Sequence, residues 1–282
     1  MADSKISYQD AGLDYQQAAK CEAYTIIGSD ALSMLAVDDS GVVTAAVYYP
    51  FNNAWTDSGT QALRAVLASD DVFRLRFRNH FCAIFHPRFT LVPARLFNPA
   101  NLHAYFNLLL SENNMAYGYN RLSDMDCVGV YAHKEEEQEI SMQLSGRDAA
   151  PHLAAAFLRA AQFVAPVQGH SLIVNVRHRS AQVALFDRQH LLYYNVTPND
   201  GPADLVYYIM VLFDQFRLSQ QTTPVLLAGN IHAQEESVGL LRNFIETVAF
   251  IPAQEKLHFP NFGNPIPEHF FFELISLRHF GR

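Results

Sequence analysis

The amino-acid sequence predicts an α/β (α+β) fold of two lobes, in which mixed sheets are flanked by helices. Over residues 171–231, three short apolar strands precede a long apolar helix and a further strand that ends at Gly229-Asn230. Short connections predict an antiparallel meander, and a helical crossover predicts a parallel fourth strand. The first half also opens with a strand meander and then a helix. Half of the residues are hydrophobic and 17% are charged, which is typical of an ordered globular protein.

Charge and hydropathy exclude several function classes. The net charge is −8 and we see no segment rich in Lys and Arg, so we expect no nucleic-acid partner. The longest apolar run, Leu205–Phe213, is too short to span a bilayer, and we expect no membrane insertion. The polar N-terminus does not resemble a signal peptide. Three widely spaced cysteines indicate reduced thiols and a cytoplasmic protein: Cys21, Cys82 and Cys127.

The first half is predicted to hold a polar N-terminal arm, residues 1–20, and a first lobe, residues 21–166. Ala31–Val37 and Val42–Tyr49 are strand-like and flank a turn sequence, which predicts a hairpin. Val72–Phe77 alternates, with Arg74 and Arg76 on the polar face, and predicts a half-buried strand. The remaining predictions are strands Phe81–Phe85, Phe89–Val92 and Asp126–Tyr131, a helix from Asn98-Pro99 with apolar Leu102, Phe106, Leu109 and Leu110, an exposed charged turn Lys134–Glu139, and a helix Ala149–Ala161.

The second half, residues 167–282, is predicted to form the second lobe. The helix Ala203–Leu218 is apolar nearly all round, so we expect it to lie buried between layers. Its expected core residues are Leu205, Ile209, Leu212, Phe213 and Phe216. The other predicted elements are strands Leu172–Val176, Gln182–Phe186, Leu191–Val196 and Val225–Leu227, an amphipathic helix Glu235–Phe250, and a last apolar element Phe270–Leu277.

Four strings in the chain resemble a known family. They are LVPARLF at 91–97, LLYYN at 191–195, ADLVYYIMVLFDQFRL at 203–218 and PVLLAGNI at 224–231. They are similar to a bacterial family of unknown function that is grouped with actin-like ATPases, nearest the pilus-assembly actin-like protein. The resemblance extends from about Ala23 onward. It implies two actin-like lobes, each with a ribonuclease-H-like sheet, that face each other across a cleft.

The resemblance also implies where a nucleotide site would lie. Actin-like ATPases place an Asp-x-Gly turn after the first strand of each lobe, where the acid positions magnesium and the glycine admits phosphate. In the first lobe Gly28 and Ser29 are kept, but Ile26 takes the acid position and Asp30 lies further along. In the second lobe Asn175 replaces the acid, and Arg177 and His178 replace glycines. Gly229-Asn230 resembles the adenosine-side glycine pair.

Two of the three motifs therefore depart from the ATPase pattern. We expect no catalytic residues, no cofactor and no bound metal, and only a vestigial cleft. Its candidate residues are Gly28, Ser29, Asn175, Arg177, Gly229 and Asn230. A cleft lined with free backbone N–H groups would favour a ligand, whereas a cleft filled by Arg177, His178 or an aromatic side chain would favour a scaffold.

Other chemistry has weaker support in the sequence. Twelve histidines suggest metal binding, but His80 and His86 lie six residues apart, and His178, His190 and His232 lack metal-binding spacing. Scattered structural histidines explain them better. Asp124 and Asp126 fit a turn as well as an acidic metal pair. No phosphate-loop, dinucleotide-binding or nucleophile-elbow motif is present.

Two functions from different classes follow. The first is a degenerate actin-like domain that acts as a binding or scaffold protein without ATPase activity, with a protein partner or a second copy of itself. The alternative is an ATP-binding actin-like protein of the pilus-assembly type with little or no hydrolysis. An enzyme with an unrelated site in the cleft is a third possibility.

Overall fold

The computed structural model describes residues 5–52, 56–106, 115–252, 257–259 and 266–281. The strands in this part of the chain are β1 (Ile6–Gln9), β2 (Glu22–Gly28), β3 (Ala31–Val37), β4 (Val43–Pro50), β5 (Asn79–Phe85), β6 (Phe89–Pro93), β7 (Ala116–Leu122), β8 (Cys127–His133), β9 (His170–Val176), β10 (Ser180–Asp187), β11 (His190–Pro198), β12 (Val225–Gly229) and β13 (Val248–Phe250). The helices are α1 (Tyr15–Ala18), α2 (Asp57–Ser69), α3 (Glu135–Ser145), α4 (Leu153–Val164), α5 (Pro202–Gln215), α6 (Glu236–Arg242) and α7 (Phe272–Gly281).

The second sheet confirms the predicted meander. Its strand order is β11-β10-β9-β12-β13, with β9, β10 and β11 antiparallel and β12 parallel to β9. The parallel strand follows the crossover helix α5, as the sequence predicts. The prediction of a helix over Glu235–Phe250 was wrong for its second half. Helix α6 ends at Arg242, and Val248–Phe250 forms β13, which pairs in parallel with β12.

The first sheet repeats the same pattern, in the order β1-β4-β3-β2-β5. Strands β2, β3 and β4 form an antiparallel meander that includes the predicted hairpin, and β5 runs parallel to β2. Residues 6–9 fall inside the expected polar arm, yet they pair with β4 along the sheet edge. This part of the chain is therefore a strand of the first sheet and not a loose arm.

Three further predictions for the first half differ from the structure. Val72–Phe77 is not a strand, because a 3-10 helix over Asp71–Arg74 leads into extended chain. The expected turn at Lys134–Glu139 begins helix α3, whose first turn carries three glutamates at the favourable end of the helix dipole. The expected helix after Asn98 is a kinked 3-10 helix, Pro99–Tyr105, and Leu109 and Leu110 lie outside the described residues.

A small third sheet, ordered β6-β8-β7, completes the strands of the described chain. Strands β6 and β8 match two predicted strands, and β7 was not predicted. β6 and β7 both pair antiparallel with β8. The sequence of β7 has glycine and asparagine within an alternating aromatic pattern, which weakens the strand signal.

Helices α4 and α7 lie between the two large sheets. Leu153 and Ala156 of α4 pack with Leu274 and Ile275 of α7 against the first sheet. Other residues of the same helices, such as Phe157 and Phe272, pack against the second sheet. The elements that bring the sheets together therefore come from the end of each half of the chain.

Helix α5 covers the outer face of the second sheet, so it is not buried between layers as expected. Leu205, Ile209, Leu212 and Phe213 are buried, whereas the expected core residue Phe216 is half-buried. Tyr207 and Val211, on the opposite side, are 63% and 41% exposed. Their apolar character made the helix look fully buried in sequence, although apolar residues are common on protein surfaces.

Candidate functional site

The candidate site lies where strands from both large sheets end. β2 ends at Gly28, β9 ends at Val176, and β12 ends at Gly229. Because β9 and β12 are parallel neighbours, Gly229 lies beside Val176. The Arg177 side chain reaches from the end of β9 to Gly28 and Asp30 in the first half of the chain. The structure therefore brings the predicted residues of both halves to one place.

Arg177 forms a buried bridge between three parts of the chain. Its Nη2 donates to Asp30 Oδ1 at 2.7 Å, and its Nε lies 3.0 Å from the same oxygen. Its Nη1 donates to Glu273 Oε2 on α7. The guanidinium also stacks on the Phe85 ring, 4.0 Å from its centroid. Arg177 is only 5% exposed, so these contacts replace its hydration.

Glu273 and Asp30 each receive further hydrogen bonds. The amides of Asn175 and Gln182 donate to Glu273 Oε1 at 2.6 and 2.8 Å. The Ser180 hydroxyl donates to Asp30 Oδ2 at 3.0 Å. All of these donors lie on β9 and β10, so the second sheet binds both carboxylates.

The pKa values respond to burial and to this pairing. Burial by itself would raise the pKa of Asp30, but the charge and hydrogen bonds of Arg177 outweigh it and leave that pKa below its usual value. Burial raises the pKa of Glu273 despite the opposing effect of Arg177. For Arg177 the attraction of both carboxylates outweighs burial and raises the pKa, so the side chain stays charged.

The two glycines allow close approach in different ways. At Gly28 an added Cβ would lie 2.5 Å from Arg177 Nη2, so the absence of a side chain makes room for the guanidinium. Gly229 has φ +83°, and an added Cβ would lie 2.1 Å from the Val176 carbonyl oxygen. Glycine is suited to both positions because it lacks a Cβ.

The backbone N–H groups at this place have partners within the protein. The N–H of Ser29 donates to the Phe85 carbonyl at 3.0 Å, and that of Asn230 donates to the Val176 carbonyl at 2.7 Å. Arg177 N–H donates to the Ser180 carbonyl. A phosphate would need such groups to be unpaired and directed toward it.

A small cavity lies beside the bridge. It measures ≈ 20 Å³ and is lined by residues that include Tyr48, Arg177, Asn230, Phe270 and Glu273. That volume is sufficient for about one water molecule. In this conformation it is too small for a nucleotide, because pockets for such ligands measure about 300–1,000 Å³.

Two residues of this site were not among the candidates predicted from sequence. Asp30 lies further along than the acid position of the turn, but its carboxylate accepts hydrogen bonds from Arg177 just before β3 begins at Ala31. Glu273 had a signal that was not used. It is the lone acid in the apolar run Phe270–Leu277, and a charge in such a run needs a buried partner.

Neither a metal centre nor a membrane span is found in the described residues. No group of three or more His, Cys, Asp or Glu side chains there could hold a metal ion. The cysteines are free, with Cys21 and Cys82 buried and Cys127 partly buried. Within the same part of the chain, no helix has the length and apolar character needed to cross a membrane.

Residues 10–248 match the family model described as "Protein of unknown function (DUF3822)". The chain belongs to this family. No curated protein matches its sequence. The resemblance to a family of unknown function, noted from four strings of residues, is confirmed.

Solved structures show the same fold at low sequence identity. One is a protein of actin-like ATPase fold and unknown function from Bacteroides thetaiotaomicron VPI-5482, with 16% identity, a TM-score of 0.72, and coverage of 85% of this chain and 93% of that one. Another is the PilM-PilN type IV pilus biogenesis complex, with 14% identity, a TM-score of 0.58, and coverage of 92% and 98%. The chain therefore has the actin-like ATPase fold, as the sequence predicted.

Proposed function

We propose that this protein is a degenerate actin-like domain that acts as a binding or scaffold protein without ATPase activity. The buried bridge from Arg177 to Asp30 and Glu273 is the observation that carries the proposal. The guanidinium lies against Gly28, at the turn where the resemblance places phosphate binding. The positive charge of Arg177 is therefore neutralised by carboxylates of the protein itself at this turn.

The chemistry of the turn also disfavours hydrolysis. Magnesium is bound by carboxylates, waters and phosphate oxygens. Ile26, at the acid position of the first turn, is fully buried in β2 and has no ligand atom. Asn175 offers a neutral amide that donates to Glu273. Asp30 carries a negative charge here, but Arg177 neutralises it.

A scaffold without ATPase activity would act by binding another protein or a second copy of itself. Among the similar structures, PilM is in a complex with PilN, so a protein of this fold assembles with another protein. Sedimentation velocity of the purified chain over a hundredfold concentration range would measure self-association. Concentration-dependent growth of the particle would favour a second copy as partner, and a constant monomer would favour a different protein.

The proposal is tested with nucleotide. We expect no magnesium-dependent phosphate release from ATP above background, and no binding of a non-hydrolysable ATP analogue in the cleft by calorimetric titration. Phosphate release that disappears in Asp30→Ala would contradict the proposal, because it would show Asp30 acting as the magnesium-positioning acid. Asp200→Ala is the matched control, since that exposed aspartate pairs with Arg179 on the surface.

The alternative is an ATP-binding protein of the pilus-assembly type with little hydrolysis. The positive φ of Gly229 and its position beside Asn230 favour it, since both match the adenosine-side pair. Analogue binding that persists without phosphate release, and that is lost on Gly229→Val, would select this alternative. It would require Arg177 to leave the cleft.

A further inference from the structure

A second group of charged side chains lies in the segment Phe73–His80, which overlaps the predicted strand Val72–Phe77. Phe73, Leu75 and Phe77 pack against the core of the first lobe. Arg74, Arg76 and Arg78 alternate with them and are exposed. The segment is therefore fixed by its apolar side chains, and its arginines lie on the solvent side.

A fourth arginine joins this group from helix α3. The helix ends at Ser145, and its C-cap Gly146, with a φ of +67°, turns the chain so that Arg147 follows. The Arg147 guanidinium lies 4.3 Å from the centroid of the Phe81 ring, which orients it by a cation–π contact. Side chains from two separate segments thus meet at the start of β5.

The four arginines line one cavity of ≈ 500 Å³. Its described lining includes Asn79, His80 and residues 143–146 and has no Asp or Glu. Glu22 of β2 pairs with Asn79 at this end of the first sheet, whereas Gly28 pairs with Phe85 at the other end. The cavity is therefore at the opposite end of the strands from the Arg177 bridge.

Two of the four guanidinium charges are neutralised nearby. Arg78 pairs with Asp39 at 2.7 Å and with Glu22 at 3.5 Å, and Arg74 pairs with Asp71 at 3.0 Å. Among the residues that the structure describes, Arg76 and Arg147 have no carboxylate partner. The cavity thus keeps two unneutralised positive charges in a protein whose net charge is −8.

His80 adds no positive charge to the cavity near neutral pH. Burial lowers the pKa of its ring to about 4, against an opposing hydrogen bond to the Leu144 backbone. Its Nε2 lies 2.8 Å from the Thr25 hydroxyl. The charge that a ligand would meet therefore comes from the arginines.

We propose that this cavity binds the phosphate group of a small phosphorylated compound. A phosphate ester carries a charge of about −1.5 to −2 near pH 7, which matches two unneutralised guanidinium groups. A single carboxylate would leave one of them without a partner. The planar fork of arginine fits phosphate oxygens, and the cavity volume suits a small molecule.

The test is calorimetric titration of the full chain with pyrophosphate and with glycerol phosphate, at constant ionic strength. We expect saturable binding at one site. The double variant Arg76→Gln/Arg147→Gln should lower the affinity by about tenfold or more, because it removes two charge-assisted hydrogen-bond donors. Arg64→Gln/Arg95→Gln makes the same charge change at exposed positions outside the cavity and should change the affinity by less than about twofold.

Arg147→Lys refines the assignment. It keeps the charge but loses the fork, so its affinity should fall between those of the wild type and Arg147→Gln. The proposal is overturned if neither phosphate compound binds saturably, or if the two double variants lose affinity equally. It is also overturned if a glutamate-rich peptide binds and the phosphate compounds do not, since the site would then serve an acidic protein partner.

This site and the cleft can be told apart in the same titrations. The heat from an ATP analogue that is lost in Arg76→Gln/Arg147→Gln belongs to the arginine-lined cavity. A signal that is lost in Asp30→Ala and kept in that double variant belongs to the cleft. The proposed function and the proposed phosphate site can therefore fail independently.

Discussion

The turns that end β2 and β9 occupy equivalent places in two similar sheets. Each strand begins an antiparallel meander, and each pairs in parallel with the next strand of its sheet, β5 or β12. The first turn brings glycine and the carboxylate of Asp30, and the second brings the guanidinium of Arg177. The topology places the two turns together, and Arg177 of the second turn forms an ion pair with Asp30 of the first.

A second difference concerns two buried glutamates. Glu273, between the sheets, accepts hydrogen bonds from Asn175, Gln182 and Arg177. Glu137, on α3, is fully buried, and among the residues that the structure describes neither carboxylate oxygen has a side-chain hydrogen-bond partner. Burial raises the pKa of Glu137 to about 8, although nearby backbone and the cations Arg88 and Lys134 oppose the shift. One buried acid is thus paired, and the other favours its neutral form.

The largest expected effect comes from removing the cation at the second turn. Arg177→Met should lower the free energy of unfolding by about 3–5 kcal/mol, because it leaves Asp30 and Glu273 buried without their partner. Denaturant unfolding at pH 7 measures it. Arg179→Met is the matched control two residues later, where a half-exposed arginine pairs with Asp200, and it should cost about 1 kcal/mol or less. Equal losses would show that the bridge does not stabilise the contact between the turns.

The pH dependence of stability should distinguish the unpaired Glu137 from the paired Glu273. The folded pKa of Glu137 lies above its value of 4.5 in the unfolded chain, so the unfolded state ionises first and stability falls as pH rises from about 4.5 to 8. Between pH 5 and pH 8, wild-type protein should lose about 3 kcal/mol relative to Glu137→Gln, as measured by denaturant unfolding.

Glu139→Gln makes the same substitution at an exposed position of α3 and is the control for that comparison. The pH-dependent difference of Glu137→Gln from wild type should clearly exceed that of Glu139→Gln over the same range. A Glu137→Gln difference that is constant would show that the carboxylate has found a partner or water, and the contrast with Glu273 would be lost.

Alanine substitutions at the two glycines should give the smallest losses of stability. Gly229→Ala should cost about 2–3 kcal/mol, because it combines a positive φ with a clash against backbone. Gly28→Ala should cost about 1–2 kcal/mol, since the nearest atom, at 2.5 Å, belongs to the Arg177 side chain and the nearest backbone atom, the Ala31 carbonyl oxygen, is 2.9 Å away. In an Arg177→Met background we expect the cost of Gly28→Ala to fall and that of Gly229→Ala to stay the same. Unfolding of the three single variants and the two double variants gives both coupling energies. An unchanged cost for Gly28→Ala would contradict the role assigned to that glycine.

Much of the fold could be predicted from sequence because it depends on neighbours along the chain. The hairpin β3–β4 and the meander β9–β11 follow from alternating apolar residues and short connections. The four buried residues of α5 follow from its spacing. The turns were also located correctly, since Gly28, Arg177 and Gly229 directly follow or end strands.

What the tertiary structure alone decided depends on partners far apart in the chain. Arg177 lies 147 residues from Asp30 and 96 from Glu273, and no local pattern indicates such a pairing. The same holds for the pairing of residues 6–9 with β4, for β13, and for the cavity that Arg76 and Arg147 both line. Local periodicity reports which face of a segment is apolar, whereas the partner of a buried charge is set by packing between distant segments. The sequence alone therefore determined the first-sheet hairpin, the second-sheet meander and the chemistry at each turn. The packing of α4 and α7 between the sheets decided that those turns join in a bridge.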